Sequence, residues 1–372
     1  MGTSHRGWIV GLVVAAIVVA GCTPPPTLTP QQQVDQIVAF VELVRGHEFT
    51  TPPVVQFLDD ATFRADVLAQ LASAEPEVRA ADTTFRATGW MAPGDDLWEK
   101  YQIAFGGAVV GYYDPATGVL KVRGTDLTPY RREVIAHELT HALDDQIHDL
   151  DAQPGSTFLS EARFASLVAI EGSAVRVQQA YYANMSAIEQ AQDIAEQLQA
   201  GSDPALLTVP LALLVFTQAP YLRGATFSAQ MAAIGGVPAG VDETLTRYPA
   251  TAEQAFDTAR YQANEPAVPV TTPPAEGTVV ESGTWGQFLL TLLLRNGVAL
   301  DSVDPVTQGW AGDAYVTWEN GTEDCLRLDT RMDTAAQASA LGSELTTWAG
   351  GRPDAQVQAL DATTVRVTTC VA

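Results

Sequence analysis

Val134-Ile135-Ala136-His137-Glu138-Leu139-Thr140-His141 is the stretch on which the reading of this chain turns. It is an HExxH pattern set in an apolar, helix-forming run. A spacing of i to i+4 puts His137 and His141 on one helix face, one turn apart, where both imidazoles can reach a single zinc ion. Glu138 sits beside the first of them, placed to take a proton from a water. Of the five histidines in the chain, three fall between His137 and His148.

A catalytic zinc takes three protein ligands and keeps one position open. A third His six residues past the second, after a Gly, marks the metzincins. Position 147 is Ile147, Asp144 stands where the Gly belongs, and His148 comes one residue late, so that subclass is rejected. The other arrangement, that of the gluzincins, takes a Glu from the next helix. Glu161 and Glu171 are the candidates, and both sit among apolar neighbours at helical spacing. Two details favour Glu171. It lies deep in Leu167-Val168-Ala169-Ile170-Glu171-Gly172-Ser173-Ala174, where an unpaired carboxylate is expensive. Gly172 also removes a side chain where the helix must come close to a partner.

Outward from the motif, residues 129–148 and 158–185 read as helices. Residues 107–124 read as a β-hairpin whose turn is Asp114-Pro115-Ala116-Thr117-Gly118. Its first arm, residues 108–113, offers an edge to an extended peptide. Before it, residues 31–45, 61–71, 76–88 and 95–104 have helical spacing and 53–58 reads as a strand. After the pair of helices, 187–200 is a more polar helix, and 205–216 is an apolar core element interrupted by Pro210. Residues 265–277 are rich in Pro, Ala and Thr and mark a seam. A helix at 284–295 follows, then strands and a helix, with a hairpin signal at Asn320-Gly321.

The chain has 372 residues, 47% hydrophobic and 17% charged, which excludes a disordered chain and a coiled coil. Its net charge of −24 repels phosphate backbones, so no nucleic-acid partner is expected. Residues 8–20 form an apolar run of signal-peptide length that ends Val19-Ala20-Gly21-Cys22, a lipobox-like sequence. Cleavage before Cys22 and lipidation of its thiol would tether the chain to the outer face of the cell membrane, with 22–33 as a Pro- and Gln-rich spacer. Cys325 and Cys370 are then the remaining thiols, an even pair in an oxidising compartment, and a disulfide between them is expected.

The run Ala136 to Gln146, the Glu171-Gly172-Ser173-Ala174 helix and the hairpin Val109 to Gly124 together resemble a family of bacterial and archaeal HExxH lipoprotein metallopeptidases. Residues 219–224 and 247–254 are similar to its later blocks, so the likeness spans about 36–261. Position for position, the family's acid falls on Glu171. The His usual near 255–258 is absent here. The resemblance implies a membrane-tethered zinc peptidase acting on a peptide or protein substrate, with His137, His141 and Glu171 on the metal and Glu138 as the base. Tyr221 and Arg223 are candidates for stabilising the oxyanion, and Asp145 for orienting an imidazole.

The expected fold is α+β: a mostly helical, zincin-like domain over 34–264 with a hairpin before the HExxH helix, a linker over 265–283, and a small C-terminal α+β region over 284–372. The competing functions are a non-catalytic zinc-binding envelope lipoprotein and a solute-binding lipoprotein. The intact Glu138 speaks against the first, and the helix-rich order with one early hairpin against the second.

Overall fold

The computed structural model describes residues 28–155, 157–295 and 305–372. The leader, Cys22 and most of the spacer lie outside the described residues. The first helix, α1 (Pro30–Arg45), starts at a capping box between Thr29 and Gln32 and buries Val34, Ile37 and Val41 on one face. Strand β1 (Val54–Leu58) is followed by α2 (Asp60–Leu71), α3 (Glu75–Ala80), α4 (Asp82–Ala87) and α5 (Leu97–Ala108). The hairpin consists of β2 (Gly111–Asp114) and β3 (Val119–Arg123), with Tyr113 opposite Leu120. β1 adds in parallel to β3, giving a three-stranded mixed sheet of order β1-β3-β2, so β2 is an edge.

Helix α6 (Pro129–His148) carries the motif. Thr128 caps it and Pro129 fills its first turn, where a missing N–H costs nothing. Then come α7 (Glu161–Asn184), α8 (Ala187–Ala200), α9 (Leu211–Gly235), α10 (Ala239–Thr246), α11 (Ala252–Phe256) and α12 (Thr258–Gln262). The remainder is β4 (Thr278–Gly283), α13 (Gly286–Leu294), β5 (Trp310–Asn320), β6 (Glu323–Met332), α14 (Ala335–Ala349), β7 (Gln356–Ala359) and β8 (Thr364–Val371). These five strands form an antiparallel sheet of order β4-β5-β6-β8-β7.

The architecture is therefore α+β, as expected. Four local readings are corrected. α5 runs through Gly106 and Gly107 to Ala108, because packing carries it past two glycines that look like breakers, and the hairpin arm starts at Gly111 rather than 108. Pro210 does not interrupt an apolar helix: it precedes α9, which continues through Pro220 to Gly235. The second long helix starts at Glu161, not 158. Residues 278–283, read as the end of a linker, are an edge strand of the second sheet. Among the described residues, no helix is long and apolar enough to cross a membrane.

Two packed regions set the site. In the smaller, α6 turns Ile135, Leu139 and Leu143 toward Ile37 and Val41 of α1, Leu120 and Val122 of β3, and Val177 of α7. That leaves the opposite face of α6, with His137 and His141, turned toward α7 and α9. The larger core joins the helices to the second sheet: Phe164 of α7 stacks on Phe288 of α13 with ring centroids 4.3 Å apart, and Trp90 stacks on Trp285 at 5.8 Å. Cys325 and Cys370 are paired opposite each other across β6 and β8, with Cα atoms 4.1 Å apart, and are joined by a disulfide.

Candidate metal centre

Helices α6 and α7 bring three acceptor atoms to one point. His137 Nε2 lies 2.9 Å from His141 Nε2, and Glu171 Oε2 lies 3.2 Å from the first and 3.4 Å from the second. Ligands about 2.0–2.2 Å from a tetrahedral ion stand about 3.3–3.6 Å apart, so the triangle is close to the size a metal imposes. The donors argue the same way. His137 Nδ1 is 2.9 Å from Gln178 Oε1, and Gln178 Oε1 can only accept, so the ring proton sits on Nδ1 and Nε2 is a bare lone pair. Glu171 Oε2 is buried without a hydrogen-bond donor. Acceptors facing each other in a buried space need a positive charge between them, a metal ion or a proton on His141.

Electrostatics agree. Burial would lower the His141 pKa, yet the Glu171 carboxylate beside it pushes it up to about 9. Burial would raise Glu171, but the two imidazoles hold it well below the usual carboxylate range. The trio attracts positive charge. Two imidazoles and one carboxylate form a donor set suited to zinc, and the residues present fit such an ion.

Glu138 is presented by the hairpin. The Tyr113 N–H, on the free edge of β2, donates to Glu138 Oε2 at 2.9 Å. This approach depends on Gly111, where a Cβ would meet Val134 Cγ1 at 3.0 Å and the Lys121 carbonyl oxygen at 3.3 Å. Burial raises the Glu138 pKa, which favours a group able to take and return a proton. Tyr221 of α9 stacks on His137 with centroids 5.8 Å apart and planes 22° apart. The neighbouring Glu171 charge and burial keep its hydroxyl protonated far above its ordinary range.

A cleft of ≈ 490 Å³ opens beside these residues, with His137, Glu138 and Tyr221 in its wall. Its apolar lining comes from Phe105, Val109, Val134, Leu206 and Leu214.

Other sequence candidates fall elsewhere. Glu161 is ten residues before Glu171, about 15 Å along the helix, where it accepts the Ala252 N–H at 2.6 Å. His148 lies 3.4 Å from Asp242, which also binds Arg45 and His47. Arg223 lies over the Phe256 ring, its guanidinium carbon 4.8 Å from the centroid. Asp145 does not orient an imidazole: it accepts the Tyr113 hydroxyl at 3.0 Å and the Leu150 N–H at 3.1 Å. The residue that does orient one, Gln178, was missed. Its signal was its position, two helical turns after Glu171 on the same face of α7. Gln178 is held in turn by donating to Glu133 Oε1 at 2.9 Å. Burial first, and Asp193 beside it second, push Glu133 up to about 8.

Residues 274–370 match a domain family of unknown function, DUF8575. That stretch covers the second sheet and contains none of the residues around the cleft. Nothing matches among curated proteins or among solved structures.

Proposed function

We propose that this protein is a zinc-dependent peptidase of the zincin type, tethered by a lipid on Cys22 to the outer face of the cell membrane. The observation that carries the reading is the convergence of His137, His141 and Glu171, with Glu138 held beside them by a backbone N–H. A pure metal store has no need of a buried, oriented carboxylate that is not a ligand.

His137 and His141 through Nε2, and Glu171 through Oε2, would hold the ion. When bound, zinc supplies Lewis-acid chemistry, polarising the scissile carbonyl and acidifying a water. Glu138 takes the proton from the attacking water and passes it to the leaving amine. The Tyr221 hydroxyl, protonated at all working pH, donates to the developing oxyanion. An extended substrate lies against the free edge of β2, which offers main-chain partners next to Glu138. Its side chain beside the scissile bond enters the apolar cleft.

The test uses two substitutions. Glu171→Ala should lose zinc, whereas Glu138→Gln should keep it and lose turnover by about two to four orders of magnitude. Wild-type protein that binds zinc yet cuts no member of a peptide library would sink the peptidase reading and leave a non-catalytic zinc-binding lipoprotein.

A further inference from the structure

Helix α8 is mounted with its polar side inward. Asp193 is fully buried; Glu189 pairs with Arg132 of α6 at 2.6 Å, and Gln197 Nε2 donates to Glu133 of α6 at 3.2 Å. The outward side carries the apolar stripe Ile188, Ala191, Ala195 and Leu198, at spacings of three and four, with Ile194 beside it. Ile188 is 74% exposed, Leu198 71% and Ile194 49%, and Leu207 in the turn that follows is 89% exposed. Every exposed residue of α8 is Ala, Gln, Ile or Leu. A surface helix normally buries such a stripe.

Its place in the fold says what covers it. α1 and α7 run antiparallel: Arg176 Nη1 donates to the Val44 carbonyl at 3.3 Å, and Phe40 meets Tyr181 at 5.1 Å between centroids. The start of α1 therefore lies at the end of α7, where α8 begins. With the lipid on Cys22, the eight residues from Cys22 to Thr29 reach at most about 25 Å as polyproline-type chain. α8 itself is about 21 Å long, so the lipid surface is within reach of the whole stripe.

We infer that the outward face of α8 docks on the lipid surface to which the chain is tethered, and so fixes the orientation of the body on the membrane. This rests on the tether, not on the peptidase activity. Charge favours it. The protein carries a net −24 and an anionic leaflet repels it, but the α8 face has no charge and approaches without that cost. Size favours it as well. The stripe offers on the order of 400 Å² of apolar surface, about half of what each partner gives to a stable protein interface. That is small for a second copy of this chain. It suffices on a membrane, because the tether raises the local concentration of lipid surface to about the millimolar range or above. Gln197 and Leu206 belong to the wall of the cleft, so docking would hold the cleft beside the bilayer.

The experiment takes the full chain, lipidated in a bacterial host and reconstituted into phosphatidylcholine–phosphatidylglycerol vesicles containing a nitroxide-labelled lipid. A polarity-sensitive fluorophore is placed on Leu198→Cys, or on Ser339→Cys in α14 as the reference. The native Cys325 and Cys370 are joined and do not react. The Leu198 probe should shift to the blue and lose most of its intensity to the lipid quencher, and the Ser339 probe should do neither. Adding Ile188→Glu and Ile194→Glu, both at exposed positions, should return the Leu198 probe to water without unfolding the chain. A Leu198 probe that stays in water on chains that float with the vesicles overturns the docking and leaves the tether intact. Chains that do not float overturn the tether. A blue shift that needs no lipid and grows with protein concentration overturns the docking in favour of a second copy.

Discussion

Gly172→Ala tests the geometry of the centre from one position. Gly172 of α7 and Gly224 of α9 face each other where the helices cross. A Cβ on Gly172 would stand 2.4 Å from the Gly224 carbonyl oxygen and 2.9 Å from its Cα. Ordinary contact begins at 3.4 Å, so α9 must retreat by about 1 Å. The obstacle is backbone, not a flexible side chain. Overpacking of this kind costs about 1–3 kcal/mol. Replacing Gly by Ala inside a helix gains back about 1 kcal/mol. The balance is a loss of about 0–2 kcal/mol, read as a Tm lower by up to about 3 °C. The effect on function should be larger. His137, His141 and Glu171 stay on α6 and α7, so zinc content should hold at wild-type level. Tyr221 lies one turn before Gly224 and moves with α9, and a displacement of about 1 Å at a catalytic group costs up to about 100-fold in turnover. Calorimetry, metal analysis and a peptide-cleavage assay on the one variant read all three. If Gly172→Ala melts higher than wild type, as helix propensity alone demands, and cleaves at full rate, the close crossing and the role given to Tyr221 are both wrong.

Four further expectations follow from the same geometry. Gln178→Ala should weaken zinc binding by about 10–100-fold, because His137 loses the partner that fixes its tautomer; equilibrium competition with a chelator measures it, and unchanged affinity counts against the relay. Glu161→Ala should keep its zinc, and metal loss in that variant would move the third ligand to the shorter spacing. Burial holds Glu161 up at about 8, against an ordinary 4.5, so its folded pKa is raised. Its contribution to stability is present below pH 4.5 and lost as the pH rises through about 8; urea titrations should find on the order of 5 kcal/mol less stability at the alkaline end, and Glu161→Gln should flatten that slope. Replacing both Cys325 and Cys370 by Ser opens a connection of 45 residues and should cost about 4 kcal/mol by loop entropy, measurable by denaturant unfolding.

What could be read from the sequence was what local spacing encodes. The span of α6, its two imidazoles on one face and the neighbouring base follow from a period of 3.6. So did the value of Gly172, because a glycine beside a candidate ligand in a helix interior is costly unless a backbone comes close. Its partner Gly224 was not legible, since nothing local says which helix crosses which. The parallel addition of β1 to β3 was hidden for the same reason: the pairing spans 65 residues between Val54 and Val119. The glycines in α5 and Pro220 in α9 look like breakers, and tertiary packing overrides them. The inverted mounting of α8 was out of reach too. A period-3.6 pattern identifies two faces but does not say which turns inward, and here the buried partners are charges on another helix.

The stacking of Phe164 on Phe288 has a consequence in time. The early turns of α7 are seated against α13, and α13 in turn rests on Trp285 and the strands beyond it. A chain emerging from its amino end delivers the imidazoles and Glu171 long before residue 288 arrives. Until then the first turns of α7, around Phe164, have an open aromatic flank. The seat of α7 is thus complete only when about three quarters of the polypeptide has been delivered. A version ending at 264 should leave that flank bare and aggregate rather than yield a smaller working body. The intact protein should melt in a single cooperative transition, helices and second sheet together.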